Sequence, residues 1–423
     1  MSGEIERVSP LSFGQISILR SLETIAKGRE EYANVWQTWS LPPGTKTSDV
    51  QESLTALVRR HESLRCVYDF SQPDEPQQIV QTAPQGNLYL VETTLENSPG
   101  QAKKIAEEER RKAFDITVVQ PWKFWILHAA EEAQHVVLVM HHIAVDATAL
   151  DILKRDFYSF LGGSDMPKVE YSPTRLAMDQ HSEAWKNRRI RSSSYLQRVM
   201  KRVGENYPPD PADEKSAVAG TFISRSLKNA VKIRAEEAKV SESNVLLAAY
   251  SLAVHQQLRP TNVPLNIASA NRHFEKTTDL VGSLNQWTPL ICDPVPSEGL
   301  ESYAKRIQKK TFAAYQNGCY HPTDLLAAFD GSRFSGNALL PGYYFNYIER
   351  VPENSPVRKF DAQSNEIVLH RPSNLIGPSF YLVAENGSEL FLALRVMWNE
   401  FDSSSARELL RNIINAIEGN KII

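Results

Sequence analysis

The sequence predicts a mixed α/β (α+β) fold in two lobes. Strand-like apolar runs alternate with segments of helical periodicity through both halves of the chain. The length of 423 residues exceeds the roughly 100 to 200 of one ordinary domain. A proline- and charge-rich stretch, GENYPPDPADEKS between Val203 and Ala217, has the composition of a surface loop or linker. The lobe boundary is placed earlier, after LGGSDMPKVEYSPT, giving lobes over 1–174 and 175–423.

In the first half, TSDVQESLTALVRRHESL carries Val50, Leu54, Leu57 and Val58 at helical spacing, with Ser48 or Asp49 as its cap. LRCVYDF and QQIVQ are strand-like, and SPGQAKKIAEEERRKAF is helical. Phe124–His128 and His135–Met140 form a hairpin pattern across EEAQ. DATALDILKRDFYSFL follows as a helix, so His141 and His142 stand where a strand gives way to a loop. A long polar helix is expected from Arg175 to Met200.

The second half repeats the alternation. TFISRSL is a strand, and two helices follow, the second capped by Ser241 or Ser243. VPLNIASANR is a strand, LESYAKRIQKKTFAAYQNG a helix and GYYFNYIER a strand. Asn386-Gly387 between apolar runs marks a hairpin, and SARELLRNIINAIEG closes as a helix.

A 42% hydrophobic and 23% charged composition fits an ordinary globular protein. The net charge of -3, from 47 basic and 50 acidic side chains, gives no case for nucleic acid. No apolar run reaches the ~18 residues of a membrane span, and the N-terminus lacks a signal-peptide pattern. Cys66, Cys292 and Cys319 show no CxxC spacing, so a reducing, cytoplasmic setting without structural zinc is expected.

The stretch that reads as chemistry is QHVVLVMHHIAVDATAL, Gln134 to Leu150. Imidazole is a neutral base near physiological pH, and strand-end loops expose such groups from a fixed frame. Neighbouring residues on a strand face opposite sides, so only one of the pair faces a given cavity. Two histidines so placed chelate a metal poorly, and no HExxH occurs. A structural role for both histidines remains an alternative. Asp146 has three open roles: orienting the loop or an imidazole, pairing with an arginine, or capping the next helix. There is no GxSxG, GxGxxG or GxxxxGK[ST], and the cysteines lack a motif. What remains is a histidine acting as a base or positioning group, suited to direct acyl transfer to an amine or hydroxyl.

HHIAVDA resembles the HHxxxDG motif of the condensation-domain superfamily of nonribosomal peptide synthetases. The superfamily also includes free-standing carrier-dependent or CoA-dependent acyltransferases. Other segments agree in order: Ser12 and Gln15 in LSFGQ, RHESLR at Arg60 to Arg65, and ANRHFEKTTDLVGSLNQWTPL with Asn271, Arg272, Leu280, Val281 and Gly282. The resemblance runs through nearly the whole chain. It implies two chloramphenicol-acetyltransferase-like lobes in a V, with a central tunnel entered by donor and acceptor from opposite faces. It implies His142 as the catalytic or positioning residue, with His141 and Asp146 structural. Arg272 is the expected partner of Asp146 across the lobe interface, because a buried carboxylate needs one. The donor would be a thioester on the phosphopantetheine arm of a carrier protein, or on CoA, and the acceptor an amine or alcohol. No cofactor held by the chain is implied.

Two departures bear on the site. Ala147 stands where the motif has glycine, and alanine resists positive φ. The segment after Gly282 reads SLNQWTPL, with polar residues and a tryptophan where many relatives are apolar, so Ser283, Asn285 and Trp287 are candidates to line the tunnel. Without adenylation, carrier or thioesterase motifs, the chain is expected to be free-standing and to meet its carrier in trans. No DFGWG segment appears, against the plant-type CoA branch. The rival functions are an inactive recruitment or scaffold module and a carrier-bound epimerase. The epimerase needs a second acid/base across the tunnel, and the sequence identifies none; Glu275 lies in the second-half motif region, but its direction is not read from the sequence.

Overall fold

A computed structural model of the chain describes residues 4–25, 28–83, 91–94, 100–203, 217–295, 297–328, 340, 342–349, 365–372, 377–398 and 400–419. The GENYPPDPADEKS segment lies outside the described residues. The chain divides into two compact units, one of residues 1–190 and 270–286, the other of 191–269 and 287–423. Residues 175–190 therefore group with the first unit, and so does a segment contributed from deep in the second half.

The first unit contains β1 (Ile5–Pro10), α1 (Phe13–Ile25), β2 (Asn34–Ser40), α2 (Thr47–Arg60), β3 (Cys66–Asp69), β4 (Gln77–Gln81), β5 (Val91–Thr94), α3 (Gln101–Glu109), β6 (Trp122–Ala129), β7 (Glu132–His141), α4 (Ala147–Leu161) and α5 (Pro173–Gln180). Its sheets have the orders β1-β4-β3 and β2-β7-β6-β5. The hairpin read from the sequence is β6–β7, with Phe124 opposite Leu138. Strand β7 is covered on both faces, which explains its unbroken apolar run. Val136, Leu138 and Met140 pack in one core with residues of α2 and α4, while Val137 and Val139 pack with Trp125, Leu127 and Ala106 in another. Each fully buried side chain of this kind stabilises the fold by roughly 1.5–3 kcal/mol.

The division between the units falls within α6 (Lys186–Met200). The single helix expected from Arg175 to Met200 is two helices. Asp179 O accepts from both the Ser182 backbone N–H and the Ser182 hydroxyl, a side-chain bond that competes with the helical ladder. The chain then turns through Glu183–Trp185 before α6 begins. The expected caps of α2 also differ: Lys46 is at the N-cap with no side-chain bond. Asp49 instead sits in the first turn, where a carboxylate complements the helix dipole.

The second unit contains β8 (Val218–Ser224), α7 (Arg225–Ala238), α8 (Glu242–Leu258), β9 (Val263–Ser269), β10 (Gln286–Cys292), α9 (Leu300–Gln316), α10 (Pro322–Ala328), β11 (Tyr343–Glu349), β12 (Val368–His370), β13 (Phe380–Asn386), β14 (Leu390–Val396) and α11 (Ser403–Glu418). They build a seven-stranded mixed sheet ordered β10-β9-β11-β13-β14-β8-β12. The Asn386-Gly387 signal joins β13 and β14, paired antiparallel with Asn386 opposite Leu390. Ser241 caps α8, and Gly419 ends α11 at φ 79, a left-handed conformation that glycine adopts freely.

Candidate active site

Strand β7 delivers the histidine pair. The backbone N–H of His141 donates to Pro121 O and that of His142 to Ala33 O, each at 2.8 Å. The loop is thus tied at its start to segments on both sides. His141 is buried, and its Nδ1 accepts from the Ile143 N–H at 3.2 Å. Burial, with His142 beside it, pushes its pKa down to about 3. The neutral ring therefore carries its proton on Nε2 and supports the turn. Ile143, Ala144 and Val145 are fully buried behind it. The His142 imidazole is only half-buried. Neither of its nitrogens bonds another side chain or backbone group among the described residues, and its Nδ1 is buried without a partner.

Asp146 ends the loop and holds it. It caps α4 by accepting the Ala149 N–H at 2.9 Å, as Ser, Thr, Asp and Asn do at helix starts. Arg272 grips it bidentately, Nη1 to Oδ2 at 2.7 Å and Nη2 to Oδ1 at 2.8 Å. The Leu284 N–H adds a bond to Oδ2 at 3.0 Å. With side chains only 3% and 7% exposed, this is a buried pair, and removing one partner of such a pair costs about 3–5 kcal/mol. Asp146 thus fills two of the roles the sequence left open, cap and arginine partner. The expectation that the pair bridges two lobes is corrected: Arg272 belongs to the same unit as Asp146, because segment 270–286 packs there.

That segment is closed upon itself. Asn271 adopts φ 53, a left-handed conformation asparagine tolerates better than most residues. Its amide donates to Leu284 O at 2.9 Å and Gln286 Oε1 at 3.2 Å. Arg272 also donates to the carbonyls of Ala270, Leu280 and Gly282. Val281 enters the core of β7 and α4, and Leu280 and Leu284 pack with Leu176. Helix α1 abuts it so closely that a Cβ on Gly14 would lie 2.3 Å from Ser283 O and 2.8 Å from Leu284 Cα. Gly14 lies inside LSFGQ, where no local pattern marks it as a point of close approach. Around it, Ser12 and Gln15 form a capping box, Ser12 N–H to Gln15 Oε1 at 2.8 Å and Gln15 N–H to Ser12 Oγ at 3.3 Å.

The remaining candidates are placed as follows. Ala147 is the first residue of α4 and exposed. Its backbone is not left-handed, so the expected strain of alanine in place of glycine does not arise. Ser283 is buried with its Oγ unpartnered, and Asn285 has a buried, unpartnered Oδ1. Trp287 falls in the second unit, edge-on to Tyr344 and Tyr381 at 4.9 and 5.7 Å. Glu275 is exposed on a short turn of the 270–286 segment.

RHESLR is a set of structural clamps. His61 Nε2 lies 3.0 Å and Arg60 Nε 2.8 Å from Asp156 Oδ2, while Glu62 accepts the Thr174 N–H and hydroxyl. Among the described residues there is no cluster of metal-ligating side chains and no helix long and apolar enough to cross a membrane.

The sequence profile described as "Condensation domain" matches residues 6–342. The chain belongs to the condensation-domain family. Its architecture is therefore that of two chloramphenicol-acetyltransferase-like lobes. Members of this family generally form amide bonds and act with carrier-protein domains whose phosphopantetheine arm presents the substrate. The hybrid PKS-NRPS synthetase buaA of Petromyces alliaceus is 18% identical over 387 residues, 88% of this chain and 10% of the synthetase. The chain thus spans about a tenth of the length of the first curated relatives it matches. The condensation domain from the Monacolin K polyketide synthase MokA superposes with a TM-score of 0.79 at 15% identity, covering 98% of this chain and 97% of that one. The structure showing condensation domain-mediated chain release from the enacyloxin polyketide synthase gives 0.77 at 17% identity, covering 98% and 83%.

Proposed function

We propose that this condensation domain transfers an acyl group from a carrier-bound thioester to an amine or alcohol, with His142 at the reacting centre and the carrier supplied in trans. The observation that carries the reading is His142 itself: a half-exposed imidazole with both nitrogens unengaged, on a loop held by Pro121, Ala33 and the Asp146–Arg272 pair. Such a ring is rigidly placed yet available to a substrate.

The acceptor's lone pair attacks the thioester carbonyl and forms a tetrahedral species. Its collapse breaks the C–S bond and releases the pantetheine thiolate. His142 takes the proton the nucleophile sheds and returns it to the departing sulfur. Thioesters are already activated, so holding the nucleophile in line supplies much of the rate. His141, neutral and bonded to Ile143, and Asp146, engaged by Arg272 and two backbone N–H groups, act as supports rather than as proton relays.

The test is product formation followed by mass spectrometry, with acyl-loaded carrier protein and candidate amines and alcohols. His142→Ala is expected to lose turnover by 10²-fold or more, about the size of a general-base contribution, with an unchanged unfolding transition. Near-normal turnover in that variant, with the same substrates, would sink the role of His142.

A further inference from the structure

The segment that anchors the His142 loop has both of its roots in the second unit. It leaves that unit after Ser269, the last residue of β9, and returns to it at Trp287 in β10. Strand β10 lies at one edge of the seven-stranded sheet. Strand pairing therefore holds it on one side only, and its outward carbonyls need other donors. Three side chains supply them at alternate residues. The Tyr320 hydroxyl donates to Trp287 O at 2.6 Å, the Tyr195 hydroxyl to Pro289 O at 2.8 Å and Lys310 Nζ to Ile291 O at 2.7 Å. The first of these bonds is made at the returning root itself.

Tyr320 belongs to a turn, residues 317–320, that follows α9. The turn reaches both roots. A Cβ on Gly318 would lie 2.8 Å from Ser269 Oγ and 2.8 Å from Thr288 Oγ1. Ser269 and Thr288 are fully buried and too short to swing aside, so a glycine is needed for the turn to come this close. Ser192 Oγ donates to Cys319 O at 3.3 Å and ties the turn to α6. Tyr320 is itself buried, and burial pushes its phenol pKa upward, so it stays a donor. Within the first unit, Asn271 closes the same two chain ends by donating to Leu284 O and Gln286 Oε1. We propose that the 317–320 turn is a remote positioning element of the acyl-transfer site, with Gly318 and Tyr320 as its positioning residues. It fixes the two roots of segment 270–286, and through them the hold of Arg272 and Leu284 on Asp146 and the His142 loop.

The proposal rests on the acyl-transfer reading for its effect on turnover, and the test keeps the two apart. The His142 Cε1–H resonance of the whole protein, assigned by its loss in His142→Ala, is recorded without substrate. Turnover is then measured with acyl-loaded carrier protein. Tyr320→Phe keeps the ring and removes the hydroxyl that bonds Trp287 O. It is expected to shift the His142 resonance and lower kcat roughly threefold or more, with KM within about twofold, because a small misplacement of a reacting group slows chemistry. Gly318→Ala is expected to do the same more strongly, by roughly tenfold or more. Tyr303→Phe is the control. It removes a buried hydroxyl bond to Ser251 at 2.7 Å in the same unit and is expected to leave the His142 resonance in place. A resonance unmoved in both Tyr320→Phe and Gly318→Ala overturns the proposal, as does an equal shift in Tyr303→Phe. A shifted resonance with unchanged turnover upholds the turn's hold on the loop and counts instead against His142 as the reacting group.

Discussion

Helix α4 carries two buried aspartates, Asp146 at its N-cap and Asp156 in its body, and they differ in what they hold. Asp156 is fully buried and held by Arg60 and His61 at the end of α2, 96 and 95 residues away in sequence, and by Arg155 beside it. Burial works to raise its carboxyl pKa, but hydrogen bonds from His61, Arg155 and Arg60 outweigh that and hold it below the usual carboxylate range. Asp146 is engaged instead by Arg272 and Leu284, which are 126 and 138 residues away in sequence. Among the described residues, the Asp156 cluster fastens α4 to α2 and touches segment 270–286 only through the exposed Arg155–Asp279 pair. The Asp146 cluster ties the His142 loop directly into that segment, borrowed from the second half of the chain. Similar chemistry therefore serves packing in one place and positioning in the other.

The largest expected effect breaks the second anchor. Arg272→Met strands the Asp146 charge and is expected to cost about 3–5 kcal/mol in denaturant titration. It should also reduce turnover per folded molecule, because the His142 loop loses its main tie. Asp156→Asn should lower stability by about 1–3 kcal/mol while turnover per folded molecule stays near normal. Equal losses of turnover in the two variants would erase the distinction between the clusters.

Acid pH offers the next contrast. His141 has an ordinary value of 6.5 that burial lowers to about 3 in the folded chain. Between those values the unfolded chain binds a proton that the folded chain refuses, so stability is present above 6.5 and is lost as pH falls toward 3. The slope for one such proton is about 1.4 kcal/mol per pH unit. His141→Asn keeps an acceptor for the Ile143 N–H and removes the titration. Its stability curve should be flatter between pH 6 and 4 than that of the unchanged protein, and an identical slope would show that His141 does not remain neutral.

Much of this site was legible in the sequence. Apolar runs marked β6 and β7, and helical periodicity marked α4 after the His142 loop. The resemblance to condensation domains also pointed to Asp146 and Arg272 as partners. The setting of that pair was not legible. Residues 270–286 lie between two strands of the second unit, and nothing in their composition shows that Val281 and Leu284 pack in the first. Strand β2 was not legible either, although it pairs along β7 with Asn34 opposite His141. Its sequence, NVWQTWS, mixes polar and aromatic residues without a clean alternation. The left-handed Asn271 and the close approach at Gly14 are tertiary facts with no local periodicity to announce them.

Gly14 supplies a smaller test of the same anchor. Gly14→Ala drives a methyl into the Ser283–Leu284 backbone, which cannot rotate away as a side chain can. A loss of about 1–3 kcal/mol is expected, the usual cost of overpacking, with turnover per folded molecule reduced because Leu284 shifts from Asp146. A thermal midpoint equal to that of the unchanged chain would mean that α1 does not bear on this segment.

The smallest effect is expected at Ala147. The motif glycine invites the idea that alanine here hampers the site, yet Ala147 is an exposed first residue of α4 with ordinary backbone. Ala147→Gly should therefore lower stability by no more than about 1 kcal/mol, the helix penalty of glycine, and leave turnover within about twofold. The helix start is held by the Asp146 side chain, not by the identity of the next residue, so the variant keeps the cap and the Arg272 pair. A large gain in turnover from Ala147→Gly would show instead that the alanine methyl obstructs substrate, and would move the control of the site from the anchor to the residue beside it.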